Sequence, residues 1–156
     1  MRVAIGQDSH RFDVENKSGK PLILAGVVFE NETPFEANSD GDVILHAITR
    51  AVSGITTIDI LGPKTKQWIK EGKLDSRFYL QEALKDLNGR VAHLSVSVEC
   101  KKPRLTPKIP EMRRSLAELL HTDEKNIGIT ATSGEELTDF GRGLGMNVFA
   151  VLTVED

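Results

Sequence analysis

Asp8 and His10, two residues apart near the start of the chain, and His46 further on carry the ligand types of a catalytic zinc. Two imidazoles and a carboxylate hold such a metal, and a fourth position stays open for water or substrate. On a strand, Asp8 and His10 leave the same face. His46 closes the run Ser39-Asp40-Gly41-Asp42-Val43-Ile44-Leu45-His46, which reads as a turn at Gly41 followed by the first turns of a helix. A strand pair and one helical histidine can fill three corners of a tetrahedron. Plainer roles are open to each residue. A histidine on a helix is more often part of a core or a surface, Asp8 can be a strand-end residue, and Asp42 is read first as the cap of its helix.

Three later segments carry groups that suit a phosphorylated ligand. Lys101-Lys102-Pro103-Arg104-Leu105-Thr106-Pro107-Lys108-Ile109-Pro110 sets cations beside a helix start. Cations and helix N-terminal amides together attract phosphate, although a solvated basic loop has the same composition. Ala131-Thr132-Ser133-Gly134-Glu135-Glu136-Leu137 offers hydroxyls on a tight turn and a carboxylate able to hold a hard cation such as magnesium. A strand end with an N-cap pair has the same residues. Phe140-Gly141-Arg142-Gly143-Leu144-Gly145 is a turn whose arginine can meet an anion with two hydrogen bonds, or merely enter the last strand.

Positioning these groups requires an interleaved set of strands and helices. Strands are expected over Met1–Phe12, Pro21–Glu30, Val91–Cys100, Asn126–Thr132 and Gly145–Val154, with Gly26 as a bulge or close approach in the second. Helices are expected from Asp42 to about Gly54, over Asp75–Leu87 and over Ile109–Leu120, where apolar residues recur at helical spacing and Pro110 can sit in a first turn. Asp13–Lys20 and Asn31–Asp40 read as polar loops. Residues 55–74 are ambiguous, with Gly62-Pro63 breaking any helix there. The pattern predicts an α+β two-layer sandwich, a mixed β-sheet backed by helices. His93, Ser95 and Ser97 fall on the sheet's second face, which suits solvent or a subunit interface.

With 156 residues the chain suits one domain over 1–156. At 39% apolar, 28% charged and a net charge of -3, it has an ordinary globular balance and no electrostatic case for nucleic acid or a membrane surface. The single Cys100 excludes an intrachain disulfide framework and a multi-cysteine metal site. No signal peptide is read before the first strand, and no apolar run reaches membrane-spanning length, so a cytoplasmic location is expected.

The ordered set D-x-H, S-D-G-D-V-x-x-H-A, P-x-x-x-P-x-I-P-x-M and G-R-G-x-G resembles the 2-C-methyl-D-erythritol 2,4-cyclodiphosphate synthase family over nearly the full length. The resemblance implies a homotrimer with active sites at subunit interfaces, and zinc (or another divalent transition metal) on Asp8, His10 and His46. It implies magnesium on Glu135 and a catalytic place for Thr132 and Ser133. The cytidine diphosphate substrate would meet Lys102, Pro103, Arg104, Leu105 and Ala131; Asn38, Ser39 and Asp59 would face its methylerythritol part; and Arg142 would face an anion-binding cavity on the trimer axis. The implied reaction joins the 2-phosphate of 4-diphosphocytidyl-2-C-methyl-D-erythritol 2-phosphate to its own β-phosphorus, releasing CMP and the cyclic diphosphate of the non-mevalonate isoprenoid pathway.

The chain departs from the family pattern at four places. Asn38 replaces the usual histidine before Ser39 and cannot carry its charge. Ile60-Leu61-Gly62-Pro63-Lys64-Thr65-Lys66-Gln67 stands where the family reads I-G-x-x-F-P-D-T-D, so recognition of the polyol end is altered most. Arg104 replaces a lysine, and Thr132-Ser133-Gly134 replaces a run of threonines. A divergent relative that binds a cytidine nucleotide or isoprenoid diphosphate without turnover is the alternative reading. A structural zinc protein is disfavoured, because structural sites close all four positions.

Overall fold

β1 (Arg2–Arg11) alternates in burial along its ten residues, with Ala4, Gly6, Asp8 and His10 turned toward the helices and Val3, Ile5, Gln7 and Ser9 turned away. It runs antiparallel to β6 (Gly145–Glu155), placing Asp8 opposite Val148 and His10 opposite Met146. β6 also pairs antiparallel with β4 (Arg90–Glu99), and β4 pairs parallel with β5 (Ile127–Thr132). The sheet order is therefore β1-β6-β4-β5, a mixed sheet. The computed structural model describes residues 1–156.

The helices cover one face of this sheet, giving the expected α+β two-layer arrangement. α1 (Val43–Thr56) packs on β1 and β6 on one side and on α3 (Ser76–Leu84) on the other. Val43 to Thr49 are consequently buried without interruption. Its cap is Asp42, as read. One carboxylate oxygen accepts from Leu45 N at 3.0 Å and Ala25 N at 2.9 Å, the other from Gly26 N at 2.7 Å. Burial pushes this carboxyl up to about 7, with Asp40 adding to the rise, while the three N–H donors pull the other way. A buried polar group is tolerable when its bonds are made, and these bonds tie the start of α1 to the turn beside it.

That turn corrects one expectation. Pro21–Glu30 is not one strand with a bulge but a hairpin of β2 (Leu22–Leu24) and β3 (Val27–Phe29). Ala25 and Gly26 form its two-residue loop with φ of 55° and 75°, as a type I′ turn requires. A second correction lies in 55–74. Gly62-Pro63 starts a helix rather than breaking one: α2 spans Pro63–Lys70 with Gly62 as its cap. Proline at the first helical position forfeits an N–H that has no helical partner anyway. Trp68 of α2 stands edge-on to Phe78 and stacks on Tyr79 of α3, so α2 is clamped rather than free. α3 ends at Leu84, short of the expected Leu87, and α4 (Ile109–Leu120) has the expected bounds.

The other face of the sheet is exposed. Register brings Ile5, Val151 and Ser95 into one cross-strand row and Gln7, Phe149 and Ser97 into the next. Val3 and Ile5 are 61% and 63% exposed, and Phe149 and Val151 each 38%, so apolar side chains stand uncovered on a strand surface. No helix is long and apolar enough to cross a membrane.

Candidate active site

Asp8, His10 and His46 converge as their spacing suggested. Asp8 Oδ2 lies 3.1 Å from His10 Nε2 and 3.2 Å from His46 Nδ1, and the two ring nitrogens are 3.2 Å apart. A tetrahedral zinc with bonds of about 2.0–2.1 Å has ligand–ligand edges of about 3.3 Å, close to this triangle. The fit also rests on chemistry. Two imidazole nitrogens and a carboxylate oxygen, the donor types such an ion takes, lie within 4.8 Å of one another.

His46 reaches the triangle with a defined face. Its Nε2 lies 2.8 Å from Ser76 Oγ. The Ser76 hydroxyl donates to Asp40 Oδ1, and Ser76 N donates to Asp40 Oδ2 at 2.9 Å. With its proton committed to a carboxylate, Ser76 Oγ accepts from His46 Nε2–H. That leaves Nδ1 unprotonated and aimed at Asp8 and His10, the arrangement a metal-ligating histidine needs. Ser76→Ala should therefore weaken affinity for a divalent metal at this triangle by about 10- to 100-fold, the usual effect of losing such a partner, as read by competition with a fluorescent chelator. Unchanged affinity would mean that Ser76 does not orient the ring. Sequence reading missed this role, because Ser76 is thirty residues from His46 and only the fold joins them.

A cavity of about 370 Å³ opens over the triangle, lined also by Asn38, Ser39, Arg50, Gly62 and Lys66. Lys20 Nζ donates to the carbonyls of Ala37 and Ser39, at 2.6 and 2.8 Å, and so holds the Asn38-Ser39 segment at the rim. Asp59 does not line this cavity; it is exposed, with its carboxylate against the backbone of Gly62.

The proposed nucleotide residues gather elsewhere in the chain, at the carboxyl ends of the parallel pair β4 and β5. Cys100 N donates to Thr132 O at 3.1 Å, which sets the Lys102-Pro103-Arg104-Leu105 segment beside Ala131-Thr132-Ser133. Leu105 and Pro103 are buried, while Lys102, Arg104, Ala131, Thr132, Ser133 and Glu135 are exposed. Ser133 Oγ accepts from Glu135 N at 3.3 Å, the capping role that the sequence left open. Lys102, Pro103 and Arg142 line a second cavity of about 310 Å³, where Arg142 pairs with Asp139 at 2.6 Å. The two cavities share no lining residue.

The model of the YgbB family matches residues 1–155. The chain is similar to curated relatives bearing the name 2-C-methyl-D-erythritol 2,4-cyclodiphosphate synthase. That of Chlamydia trachomatis serovar L2b (strain UCH-1/proctitis) is 51% identical over 98% of this chain and 87% of its own. That of Chlamydia felis (strain Fe/C-56) is 49% identical over 98% and 88%. A solved 2C-methyl-D-erythritol-2,4-cyclodiphosphate synthase in its CDP-bound form superposes with a TM-score of 0.83 at 27% identity, covering 99% of this chain and 100% of that one.

Proposed function

This chain belongs to the YgbB family, and we infer that it is an enzyme forming 2-C-methyl-D-erythritol 2,4-cyclodiphosphate, with release of CMP, in isoprenoid biosynthesis. The observation that carries the reading is the Asp8–His10–His46 triangle at the floor of a cavity, in a chain about half identical to relatives bearing that synthase name. We assign zinc to this triangle because two imidazoles and a carboxylate at these separations suit it. When bound there it would supply Lewis-acid polarisation of a phosphoryl oxygen.

The chain's own residues do the rest. The reaction needs no strong base, since the attacking 2-phosphate oxygen is already an anion. It needs two anionic groups brought together in line, which is a task of positioning and charge. Asn38 and Ser39, which line the triad cavity, are assigned to the methylerythritol part, and Asp59, outside that lining but beside its Gly62 wall, to the outer end of the same part. Lys102, Pro103, Arg104, Leu105 and Ala131 are assigned to the cytidine end, and Thr132 and Ser133 to phosphate oxygens. Glu135 is exposed at the tip of the β5 turn, and one carboxylate beside substrate phosphates is a normal magnesium arrangement.

Because the triangle and the Lys102-Pro103 segment that follows β4 line different cavities, we propose that a second copy completes each site. The uncovered Val3, Ile5, Phe149 and Val151 face supports a homotrimer closed around the sheet's second face, with Arg142 toward its axis. Residues 1–156 then form a single domain, and a cytoplasmic setting suits the buried, unpaired Cys100.

The test is CMP release from 4-diphosphocytidyl-2-C-methyl-D-erythritol 2-phosphate with zinc and magnesium present. Turnover is expected. Its absence from a zinc-loaded trimer that binds CMP would replace this reading with a binding role. In the same assay Glu135→Gln should raise the magnesium needed for half-maximal rate by about tenfold or more while zinc content stays at one per chain; loss of zinc would mean that Glu135 is wrongly placed. One lost charge-assisted contact, about 1.5–3 kcal/mol, sets that scale.

A further inference from the structure

Two cations line the triad cavity without a part in the assignments above. Arg50 follows His46 by four residues on α1, so both leave the same helix face one turn apart. Arg50 Nε stands 3.8 Å from Asp8 Oδ1, the oxygen turned away from the histidines, since both rings contact Oδ2. That is an ion-pair distance but too long for a hydrogen bond, and no N–H of the Arg50 side chain makes a hydrogen bond. Lys66 reaches the cavity from α2, which the Trp68 contacts hold in place, and it has no carboxylate partner. Asn38, in the same lining, is neutral. A planar fork of donors and an ammonium thus face one small space beside the metal ligands, with their hydrogen-bonding capacity unspent.

We propose that Arg50 and Lys66 seat the substrate's 2-phosphate, the group whose oxygen attacks. The inference rests on the reading of Asp8, His10 and His46 as the metal site of the cyclising enzyme. In the step itself an oxygen of the 2-phosphate forms a bond to the β-phosphorus. The bond from that phosphorus to the oxygen bridging it to the α-phosphorus breaks, and its electron pair leaves with CMP. Arg50 can bind two oxygens of the phosphomonoester side by side and leave the third free to attack. The positive charge of the pair offsets the repulsion between the two phosphate groups, the energy that otherwise keeps nucleophile and electrophile apart. It also stands where Asn38 provides none.

The test uses the zinc-loaded enzyme and two ligands, the full substrate and its analogue lacking the 2-phosphate. Arg50→Gln should lower kcat/KM on the full substrate by about ten- to a hundredfold, the scale of one hydrogen-bonded charge contact. Lys66→Gln should lower it less, and Arg50→Lys should recover part of the loss. The inhibition constant of the analogue should stay within about twofold of wild type, and zinc should stay at one per chain, because a 2-phosphate seat does not touch what the analogue presents. Unchanged kcat/KM in Arg50→Gln would overturn the proposal. So would a parallel loss of zinc and of analogue binding, which would make Arg50 a residue that positions Asp8. A wild-type enzyme that releases no CMP would instead overturn the reading beneath it.

Discussion

His46→Ala should abolish CMP release and empty the metal site while leaving the fold standing. Asp8 and His10 alone supply two ligands, one short of what a catalytic zinc site uses. Polarisation of a phosphoryl oxygen by a metal is worth several kcal/mol, and each 1.36 kcal/mol is tenfold in rate, so turnover should fall by about a thousandfold or more. The helix should survive. Val43, Ile44, Leu45, Ala47 and Ile48 carry its packing and are untouched, and alanine is the best helix former. The local loss is one bond to Ser76, whose hydroxyl keeps Asp40 as its partner, and the packing of a buried ring against His10 and Tyr79, so about 2–4 kcal/mol is expected, less than a domain's whole stability. Three readouts check this: zinc per chain by atomic absorption, CMP release, and far-UV circular dichroism. A fourth separates metal loss from damage. Zinc bound only to the native state stabilises it by about 4 kcal/mol at a thousand times its Kd, so a chelator should lower the wild-type melting temperature and leave that of His46→Ala unchanged. Stoichiometric zinc in the variant would remove His46 from the ligand set.

How much of this was legible in the sequence depended on distance along the chain. Asp8 and His10 could be put on one face because a strand repeats every two residues. His46 could be put on a helix because Val43, Ile44, Ala47, Ile48 and Ala51 repeat at helical spacing. Arg50 lies four residues past His46, so its place on the same helix face is legible, but a charged residue at a helix surface needs no explanation and its spacing alone gives no signal of a role. The Ser76–Asp40 contact was beyond reach, since no periodicity links residues thirty or more apart. The hairpin was hidden for a different reason. Its turn sets Ala25, a residue that rarely adopts positive φ, beside Gly26, so the segment read as continuous strand. Gly62-Pro63 misled because the same dipeptide ends one helix and begins another, and only the aromatic clamp from Trp68 to Phe78 and Tyr79 decides for the second.

Gly6→Ala should be among the most damaging single-methyl changes in the chain, although Gly6 touches no ligand. Gly6 is the point at which β1 crosses α1. A Cβ there would stand 2.0 Å from Ala47 O and 2.5 Å from Ala51 N, both backbone atoms of the helix that carries His46. No rotamer change can relieve an overlap with main chain, so strand and helix must part. Overpacking that side chains can absorb costs about 1–3 kcal/mol, and this overlap should cost at least the upper figure. With a shift of about 2–4 °C per kcal/mol for a chain of this size, the melting temperature should fall by about 6 °C or more at fixed protein concentration. The same displacement opens the metal triangle, since Asp8 and His10 ride on β1 two and four residues beyond Gly6, while His46 rides on α1. Zinc affinity should therefore fall along with stability, and a misplacement of about 1 Å can cost a hundredfold in rate. Gly54, where a Cβ would meet only the Ala4 Cβ at 3.1 Å and the Ile5 carbonyl at 3.9 Å, gives the comparison. If Gly6→Ala melted and bound zinc like Gly54→Ala, the strand–helix crossing would not be what sets the separation of the ligands.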